Sequence, residues 1–575
     1  MDKRIGVYIC ACGGNISDYV NIEKVREAVK DENAVVLSKT TMFACGDANQ
    51  KDMDSDIKEN NLSGIVVASC SPKLHLSTFR AVSERAGLNK YNYVHANIRE
   101  QASWAHSDNK EGATQKAILL VKAAIAKARH AVSLEPIRIK SQNSVAVIGA
   151  GIAGIKAAQA LSAMNDLVYL IEKEEKIGGS LLKINTVAPE TVSGEAIIKR
   201  LSGEIAKEQN ITLLTGYQVA ESKGNIGDFT LKLQKNLQSG EGNPSERVIN
   251  VGSVLVATGF DSYTPKSGEY GFGTIPGVVT LEHFNSLLRK QKEKVFTVDG
   301  KKIKSVAFIY CVGSRQIKGE NSYCSRYCCT AALRSALDTT EKFPGIDIYH
   351  LTRGMRSYGK QELLYKEANK RGDLFIQFPD REPPVIEDGD GEIIVRVKDI
   401  LSGKRELEAN VDMVVLVTGM VSAKGDNTGA IFKLPRGRDN FYNEIHMKLR
   451  PVETAIDGIT IAGCCQGPKN SMESVNSALA AAIKSHSIVS KGELELEPIV
   501  AFVDEMKCSW CGKCLQTCPF NAITPIDKGG KRIAEITNSV CKGCGMCLPV
   551  CPEDALELIS FTNKEIEDMI DVLSQ

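Results

Sequence analysis

The fold of the central part of this chain is decided by the stretch Ser144-Val-Ala-Val-Ile-Gly-Ala-Gly-Ile-Ala-Gly154, in which a short apolar strand runs into a glycine-rich turn. A helix and a second strand follow, and the second strand ends in Glu172. This order is the dinucleotide-binding fingerprint: the glycines allow a tight turn and close approach to a pyrophosphate, and the acid binds ribose hydroxyls. A glycine-rich turn in an unrelated α/β protein is the alternative interpretation.

Two cysteine runs near the end of the sequence, residues 508–519 and 541–552, share the spacing C-x₂-C-x₂-C-x₃-C-P. In bacterial ferredoxins with this spacing, three thiolates of one run and the last thiolate of the other hold each [4Fe–4S] cluster. Structural zinc sites use separated cysteine pairs and do not match. The predicted ligands are Cys508, Cys511, Cys514 and Cys551 for the first cluster, and Cys541, Cys544, Cys547 and Cys518 for the second.

Composition limits the class of protein. With 575 residues, 43% of them hydrophobic, the chain is long enough for several domains. Lys+Arg 71 against Asp+Glu 70 gives a formal charge of +1, which offers no reason to expect nucleic acid as a partner. The sequence shows neither a signal peptide nor a long apolar run, so we expect a cytoplasmic protein without a membrane span. Eighteen cysteines in tight groups indicate metal ligation rather than disulfides.

A third cysteine group follows another apolar strand, residues 304–310. The chain there reads Cys311-Val-Gly-Ser-Arg315, and Cys324-Ser-Arg-Tyr-Cys328-Cys329 comes soon after it. Four thiolates this close together are enough for a third [4Fe–4S] cluster, with Cys311, Cys324, Cys328 and Cys329 as ligands. Buried inert thiols are the alternative.

The glycine-rich segments together resemble two-dinucleotide flavoproteins of the thioredoxin-reductase class. The resemblance implies FAD, and a late segment, Gly458-Ile-Thr-Ile-Ala-Gly463, that closes back on the flavin and makes its domain discontinuous. Two features depart from the class: no redox C-x-x-C is present in the region where the class has one, and Cys311–Arg315 replaces the nicotinamide glycine motif. The residues expected at the FAD are Gly149, Ala150, Gly151, Ile152, Ala153, Gly154, Glu172, Lys173, Gly178, Gly179, Ser180, Ala257, Thr258, Gly259, Gly463 and Gln466.

Further motifs span almost the whole chain. They are Cys10-Ala-Cys12-Gly-Gly-Asn-Ile, Ala68-Ser-Cys70-Ser-Pro-Lys, Asn97-Ile-Arg-Glu-Gln, Tyr323-Cys-Ser-Arg-Tyr-Cys-Cys329 and Gly463-Cys-Cys-Gln-Gly-Pro-Lys469. With the double ferredoxin run, they resemble the A subunit of heterodisulfide reductase and its bacterial relatives. The resemblance implies one FAD in an electron-transferring, sometimes electron-bifurcating, complex. It also implies an N-terminal cluster held by Cys10, Cys12, Cys45 and Cys70, for four [4Fe–4S] clusters in total.

The resemblance further implies partners. These are the other subunits of such a complex, ferredoxin, and a donor module of hydrogenase, formate dehydrogenase or NADH-oxidising type, around a homodimeric core. Residues 180–310 contain no cysteine, so the ferredoxin-like insertion of longer family members is absent. Arg334 stands where a lysine is expected near the flavin ring, and a guanidinium cannot deprotonate. Arg334 and Lys469 are the residues expected to tune the flavin.

We therefore predict an α/β fold, a thioredoxin-reductase-like flavoprotein with an N-terminal α/β domain and a C-terminal two-cluster ferredoxin (α+β) domain. The predicted domains are 1–140 (α/β with a cluster), 141–265 with 436–492 (FAD-binding), 266–435 (degenerate nicotinamide type with a cluster) and 493–575 (ferredoxin). Two other functions are less well supported. A stand-alone NAD(P)H-dependent oxidoreductase of the glutamate-synthase small-subunit type is disfavoured by the missing second glycine motif, and a non-enzymatic iron–sulfur carrier by the dinucleotide fingerprint.

Overall fold

The computed structural model describes residues 3–188, 191–235, 246–389 and 391–574. The chain divides into two units, Met1–Arg138 with Glu495–Gln575, and Ile139–Leu494. Among the described residues, no helix is both long enough and apolar enough to span a membrane.

The N-terminal domain is built on a parallel sheet of strand order β2-β1-β3-β4. Strands β1 and β3 are buried along their whole length, because helices cover both faces of a parallel sheet. The elements are β1 (Ile5–Cys10), α1 (Ile22–Val29), β2 (Val35–Thr41), α2 (Asp47–Glu59), β3 (Gly64–Ser69), α3 (Pro72–Arg85), β4 (Tyr93–Asn97) and α4 (Lys110–His130).

The second unit begins with the strand–turn–helix that the glycine pattern predicts. β6 is apolar and fully buried, and α5 starts at the residue after Gly151. A three-stranded antiparallel sheet, β11-β12-β13, follows the parallel strands. The elements are β5 (Ile137–Lys140), β6 (Ser144–Ile148), α5 (Ile152–Ala163), β7 (Leu167–Glu172), β8 (Thr186–Val187), β9 (Val192–Ser193), α6 (Gly194–Ile205), β10 (Ile211–Thr215), β11 (Tyr217–Asn225), β12 (Asp228–Lys235), β13 (Glu246–Val251) and β14 (Ser253–Val256).

A second parallel sheet, of order β16-β25-β19-β20-β21, lies in the middle of this unit beside a second antiparallel sheet, β22-β23-β24. Its elements are β15 (Phe260–Ser262), β16 (Val278–Thr280), α7 (Leu281–Lys290), β17 (Thr297–Val298), β18 (Lys301–Lys302), β19 (Ser305–Val312), α8 (Cys328–Lys342), β20 (Asp347–Thr352), α9 (Glu362–Arg371), β21 (Leu374–Gln377), β22 (Val385–Gly389), β23 (Glu392–Asp399), β24 (Arg405–Val411), β25 (Met413–Thr418), β26 (Met420–Ser422) and α10 (Thr428–Ile431).

The chain then returns to the first sheet. β27 (Ile459–Ile461) pairs in parallel with β14, which completes the order β10-β7-β6-β14-β27. Helix α11 (Ser471–Val489) packs on α5 and β14, and β28 (Glu493–Leu496) ends the unit. A capping box between Asn470 and Glu473 fixes the start of α11.

The C-terminal region consists of short elements around the cysteine runs. They are β29 (Ala501–Val503), α12 (Lys513–Thr517), β30 (Ile523–Lys528), β31 (Lys531–Ile536), β32 (Leu556–Leu558) and α13 (Asn563–Leu573). Helix α13 packs along α4 of the N-terminal domain. At that contact the His130 Nε2 and Asp568 Oδ2 atoms are 2.6 Å apart, and Lys127 lies over the Phe561 ring. The ferredoxin-like region therefore belongs to the same unit as the N-terminal domain, which the sequence did not predict.

Candidate functional site

The glycine-rich turn after β6 is closely packed at Gly149 and Gly154 and open at Gly151. Gly149 has φ +101°, and a Cβ there would lie 2.5 Å from the Ala257 carbonyl oxygen. A Cβ on Gly154 would lie 1.8 Å from the Gly149 carbonyl oxygen, so this position fixes the packing of α5 on the turn. A Cβ on Gly151 would meet nothing within 4 Å. The three glycines thus supply the tight turn, the helix packing and the open approach that a pyrophosphate needs.

A cavity of about 1000 Å³ opens beside this turn. This volume is at the upper end of the range for small-molecule sites, which suits a dinucleotide. Most of the residues predicted at the FAD line it: Gly149, Gly151, Ile152, Ala153, Glu172, Lys173, Gly178, Gly179, Ser180, Ala257, Thr258 and Gly259. Lys469, predicted to tune the flavin, lines it as well.

Glu172 is buried at the end of β7. Its Oε2 accepts a hydrogen bond from the Ala150 N–H at 2.7 Å, and its Oε1 accepts one from the Glu174 N–H at 3.1 Å. An ionised carboxylate has about four lone-pair positions, so both oxygens can also accept from ribose hydroxyls. The two backbone bonds hold the carboxylate at the cavity wall.

Four predicted flavin residues do not line the cavity. Ala150 and Gly154 are inside the turn, where they hold Glu172 and α5 in place. Gly463 donates its N–H to the Ser477 hydroxyl, and the Gln466 amide binds Glu444 and the Pro451 carbonyl. Ala150, Gly154 and Gly463 lie directly behind residues of the cavity wall, whereas the partners of Gln466 do not line the cavity.

Arg334, the other residue predicted to tune the flavin, is not part of the cavity wall either. Its buried guanidinium pairs with Asp338 at 2.7 Å and with Glu341 at 3.1 Å. Asp338 also accepts a hydrogen bond from Asn185. Position along helix α8 suggested a flavin contact, but two carboxylates hold the side chain in an ion-pair network instead.

The cavity also has polar residues that the sequence did not identify. Asp426 follows β26, and its carboxylate accepts hydrogen bonds from the Thr258 hydroxyl at 2.7 Å and the Tyr442 hydroxyl at 2.9 Å. Hydrogen bonds from Thr428 and Thr258 lower the pKa of Asp426 although burial opposes them. Asp426 lies in the short loop between β26 and α10, which carries no motif, and its partners Thr258 and Tyr442 come from other parts of the chain.

The N-termini of two helices lie at the cavity. α5 begins beside Gly151, and the first turn of α11 contributes Asn470, Ser471 and Ser474 to the lining. Free N–H groups and the positive end of the helix dipole at such positions favour anionic groups. Together with the open Gly151 surface and the acid at the end of β7, the residues present fit FAD.

Cys311, Cys324, Cys328 and Cys329 come together between β19 and α8; we call them the inner cysteine set. Burial raises the pKa of Cys328 well above its usual value, and the neighbouring thiols Cys329, Cys311 and Cys324 raise it further. Burial also raises the pKa of Cys329 to about 12. Cys311, Cys328 and Cys329 pack in one buried cluster, and the residue after Cys311 pairs with Thr418, whose carbonyl accepts from the Cys328 thiol. A bound metal would lower the pKa values of these thiols, because a coordinating thiol is deprotonated.

The inner cysteine set shares a wall with the cavity. Tyr327, Thr330 and Ala331, at the start of α8, line the cavity. The Tyr327 hydroxyl and the Cys328 thiol both donate to the Thr418 carbonyl oxygen, at 3.4 and 3.7 Å. One carbonyl therefore joins a cavity-lining side chain to a candidate cluster ligand.

The turn after β19 differs from the turn after β6. Gly313 has φ +66°, and a Cβ there would lie 2.0 Å from the Tyr263 ring. Helix α8 starts only at Cys328, after a loop that contains Cys324. In the described part of the chain, the Tyr263 ring and the cysteines thus occupy the region where a nicotinamide dinucleotide fold presents its phosphate-binding turn.

The structure brings together the four ferredoxin-type cysteines that are predicted to hold the first cluster. Cys508, Cys511, Cys514 and Cys551 line one enclosed cavity of about 20 Å³, with Trp510 beside them. Backbone N–H groups donate to the sulfurs of Cys508, Cys551, Cys518 and Cys541 at 3.3–3.5 Å. Burial, together with the neighbouring thiols Cys541 and Cys544, raises the pKa of Cys547 to about 11. N–H···S bonds of this kind tune cluster potentials.

The N-terminal cysteines meet at the carboxyl edge of the first sheet. Burial raises the pKa values of Cys10 and Cys70, and Cys12 raises both further, so these thiols are close together. Cys45 acts on Cys10 in the same direction. The Arg99 Nη1 atom lies 3.6 Å from the Cys12 sulfur. Within the described residues, no three His, Cys, Asp or Glu side chains are arranged to hold a single metal ion; a four-iron cluster spreads its thiolates more widely.

Comparison with known proteins identifies two regions. A family model described as 4Fe-4S dicluster domain matches residues 501–558, and one described as pyridine nucleotide-disulphide oxidoreductase matches residues 143–315. Among solved structures, the thioredoxin reductases of Lactococcus lactis and T. acidophilum are 17% and 15% identical. They cover 61% and 60% of this chain, and the chain covers 100% and 98% of theirs, with TM-scores of 0.42 and 0.41.

Full-length relatives are more similar. The second iron-sulfur A subunit of the CoB–CoM heterodisulfide reductase of Methanopyrus kandleri is 36% identical over 92% of both chains. The A subunit of the H₂:CoB-CoM heterodisulfide,ferredoxin reductase of Methanothermobacter marburgensis is 35% identical over 92% of this chain and 91% of its own. The A subunit of the H₂/formate-dependent enzyme of Methanococcus maripaludis is 32% identical over 94% and 93%.

The predicted fold class is confirmed by the mixed α/β structure and by the dicluster and oxidoreductase regions. The oxidoreductase region is of a flavin-using type, and the dicluster region is of a [4Fe–4S] type. At this identity and coverage, the chain belongs to the family of heterodisulfide reductase A subunits and is an oxidoreductase.

Proposed function

We propose that this chain is the FAD- and [4Fe–4S]-containing electron-transfer subunit of a heterodisulfide-reductase-like complex. It would pass electrons between a donor module, ferredoxin and a partner reductase subunit. The observation that carries this proposal is the shared wall: the Tyr327 hydroxyl and the Cys328 thiol bind the same Thr418 carbonyl. A cluster held there would lie directly behind the cavity, and electron transfer requires such short gaps.

Bound FAD would supply the ability to accept electrons as a pair and release them singly. The chain's own residues would bind and orient it. Gly151 leaves room for the pyrophosphate, Glu172 accepts from the ribose, and the N-termini of α5 and α11 favour the anionic groups. Lys469 places a cation at the cavity wall.

We propose four [4Fe–4S] clusters, each held by one of the cysteine groups. The ligand sets are Cys10, Cys12, Cys45 and Cys70; Cys311, Cys324, Cys328 and Cys329; Cys508, Cys511, Cys514 and Cys551; and Cys518, Cys541, Cys544 and Cys547. The mutual pKa effects of the thiols and the small cavity of the third set support this assignment.

The proposed partners follow the names of the relatives, which mention ferredoxin, H₂, formate and F₄₂₀H₂ as well as the heterodisulfide. We propose a donor module of the hydrogenase, formate dehydrogenase or NADH-oxidising type, and a homodimeric core. Electron bifurcation would require two outlets of unequal potential beside the flavin. The inner cysteine set offers one of them.

A stand-alone NAD(P)H oxidoreductase is the competing function. It needs an open phosphate-binding turn in the second dinucleotide-type domain. The Tyr263 ring against Gly313 argues against such a turn. NADH would then reach this chain's flavin only through a separate donor subunit.

The test is made on protein purified without oxygen. Heat-released cofactor should be FAD, and the iron content should approach about sixteen atoms per chain. NADH alone should leave the flavin band unchanged, whereas reduced ferredoxin should bleach it. Release of NAD, or of no cofactor, would overturn the proposal. Direct bleaching of the flavin band by NADH would also overturn it and would favour the competing function.

A further inference from the structure

Two arginines flank the inner cysteine set; we call Arg315 and Arg353 the arginine pair. Arg315 follows β19 and Arg353 follows β20. Each guanidinium donates to the other's backbone carbonyl, Arg315 Nη1 to Arg353 O at 2.9 Å and Arg353 Nη1 to Arg315 O at 2.8 Å. This reciprocal arrangement fixes both charges at the carboxyl edge of the second parallel sheet.

The arginine pair lies near Cys311. The Cys311 carbonyl accepts a hydrogen bond from the Ser314 N–H at 3.2 Å, and the N–H of the next residue, Arg315, donates to the Tyr323 carbonyl at 2.8 Å, beside Cys324. Burial raises the pKa of the Cys311 thiol, and the charges of Arg315 and Arg353 oppose that rise. The Arg315 charge also reaches Cys329. Both guanidinium groups are therefore within interaction range of the inner cysteine set.

The charge of the pair is poorly compensated. The side chains of Arg353 and Arg315 are only 6% and 16% exposed. The one carboxylate paired with them in the described part of the chain, Asp380, is 3.9 Å from each and 55% exposed, so water screens it. Burial raises the pKa of Tyr270 although Arg353 opposes the rise, and a neutral phenol brings no counter-charge. Among the described residues the Arg353 Nε has no hydrogen-bond partner.

A thiolate-bound [4Fe–4S] cluster is an anion and gains one more negative charge when it is reduced. Nearby buried cations stabilise the reduced form more than the oxidised form, because Coulomb energies are large where screening is weak. Uncharged backbone N–H groups donate to sulfurs at both kinds of site, to Cys324 at 3.4 Å and to ferredoxin-type cysteines at 3.3–3.5 Å.

We infer that Arg315 and Arg353 raise the reduction potential of the inner cluster, and that they thereby favour electron transfer from the flavin to it. This inference rests on the proposed function. Each electron that enters the inner cluster adds one negative charge to it, and the arginine pair offsets that charge without transferring a proton. They are positioning residues, because they act through the cluster rather than on a substrate.

The experiment is a redox titration of the anaerobic full-length protein, followed by electron paramagnetic resonance. The variants Arg315→Gln and Arg353→Gln remove one charge each, and Arg315→Lys keeps it. Arg396→Gln is the matched control, because this arginine is on β23 of the same domain and is paired with Glu387 and Glu408. FAD and iron contents are measured for every variant.

We expect each Gln variant to lower the reduced-to-oxidised ratio of the inner cluster about tenfold at the wild-type midpoint, which is about 59 mV for one electron. Arg315→Lys and Arg396→Gln should change it less than about twofold. An unchanged midpoint in Arg315→Gln, with the inner cluster present, overturns the inference and leaves the proposed function standing. Absence of the inner-cluster signal from the wild-type protein overturns both the inference and the proposed function. If Arg353→Gln does not fold, Arg315→Gln and Arg315→Lys decide the matter.

Discussion

The two dinucleotide-type domains of this chain share one architecture but differ at one turn. In each, a parallel sheet of five strands, centred on β6 or β19, is accompanied by a three-stranded antiparallel sheet. The turn after β6 has open space at Gly151, whereas the turn after β19 has an aromatic ring against Gly313. The first helix begins at once after β6 but only at Cys328 after β19.

This difference shows that the sheet provides the position for a site but does not determine which ligand the site binds. The same kind of sheet positions a glycine turn for a dinucleotide in one domain and a group of four cysteines in the other. The choice depends on a few residues at the carboxyl ends of the central strands. Substitutions at those residues should therefore change cofactors one at a time and leave the fold intact.

The largest effect is expected from Gly151→Leu, which fills the open turn. The new Cβ meets no protein atom within 4 Å, so the domain should fold, but the side chain would enter the path of the pyrophosphate. We expect flavin affinity to fall by about 3 kcal/mol, or roughly a hundredfold. FAD per chain, measured by chromatography of the heat-released cofactor, checks this.

Gly203→Leu is the control for this substitution. Gly203 is exposed on helix α6, and a Cβ there also meets nothing within 4 Å. It should keep full FAD, and both variants should keep their iron. Full FAD in Gly151→Leu would show that the open turn does not hold the cofactor.

The next effect concerns the second domain. Cys328→Ala removes one thiolate from the inner cysteine set, so about four of about sixteen irons should be lost. FAD should stay bound, because Cys328 does not line the cavity. Transfer of electrons from the flavin to a cluster-linked acceptor should slow severely, as stopped-flow reoxidation would show.

Cys465→Ala provides the comparison for this variant. Cys465 is a buried thiol of the first domain, and its sulfur bonds the Ala462 and Val256 carbonyls. It should retain all iron and wild-type flavin reoxidation. If Cys328→Ala had the same iron content and the same rate of flavin reoxidation as Cys465→Ala, Cys328 would not be a cluster ligand.

Tyr263 tests whether the ring alone separates the two turns. Tyr263→Ala removes a half-buried ring and should lower the free energy of unfolding by about 2 kcal/mol. Tyr263→Phe loses only the hydrogen bond to Glu269 and should cost about 1 kcal/mol. Urea unfolding of the two variants measures both values.

Neither Tyr263 variant should gain direct reduction by NADH, because the cysteines and the late start of α8 remain. Flavin bleaching by NADH in Tyr263→Ala, and not in Tyr263→Phe, would mean that the ring is the single obstacle. The second domain would then keep a latent nicotinamide site.

Sequence patterns could predict much of this site. Gly149, Gly151 and Glu172 follow from the fingerprint, because their roles depend on neighbours within one βαβ unit. The cavity residues Asp426 and Tyr327 could not be predicted, because their positions depend on contacts between elements far apart in the chain. Analogy places Arg334 near the flavin, and its ion pairs with Asp338 and Glu341 are contacts that the analogy does not include.

The arrangement of domains shows the same limit. The ferredoxin spacing predicts a C-terminal region with two clusters, and residues 501–558 match that class. The packing of α13 on α4 depends on pairs such as His130 and Asp568, which are 438 residues apart. Local spacing gives no information about such contacts.

The smallest effect should come from Lys469, which places its cation at the wall of the flavin cavity. Reduction adds negative charge to a flavin, so a nearby cation favours the reduced form. Lys469→Met should make two-electron reduction about tenfold less favourable, which is about 30 mV. Lys484→Met, on the exposed face of α11 beside Glu453, is the control and should leave the potential unchanged.

The pH dependence sharpens this last prediction. Burial lowers the pKa of Lys469 from its usual value of 10.5. The cation is present below the lowered pKa and is lost as the pH rises through it, so the potentials of wild-type and Lys469→Met protein should converge before pH 10.5. A difference that stays constant across that range would mean that the lost side chain acts by packing rather than by charge. No difference at neutral pH would remove Lys469 from the flavin site and leave the helix α11 N-terminus as the main positive group there.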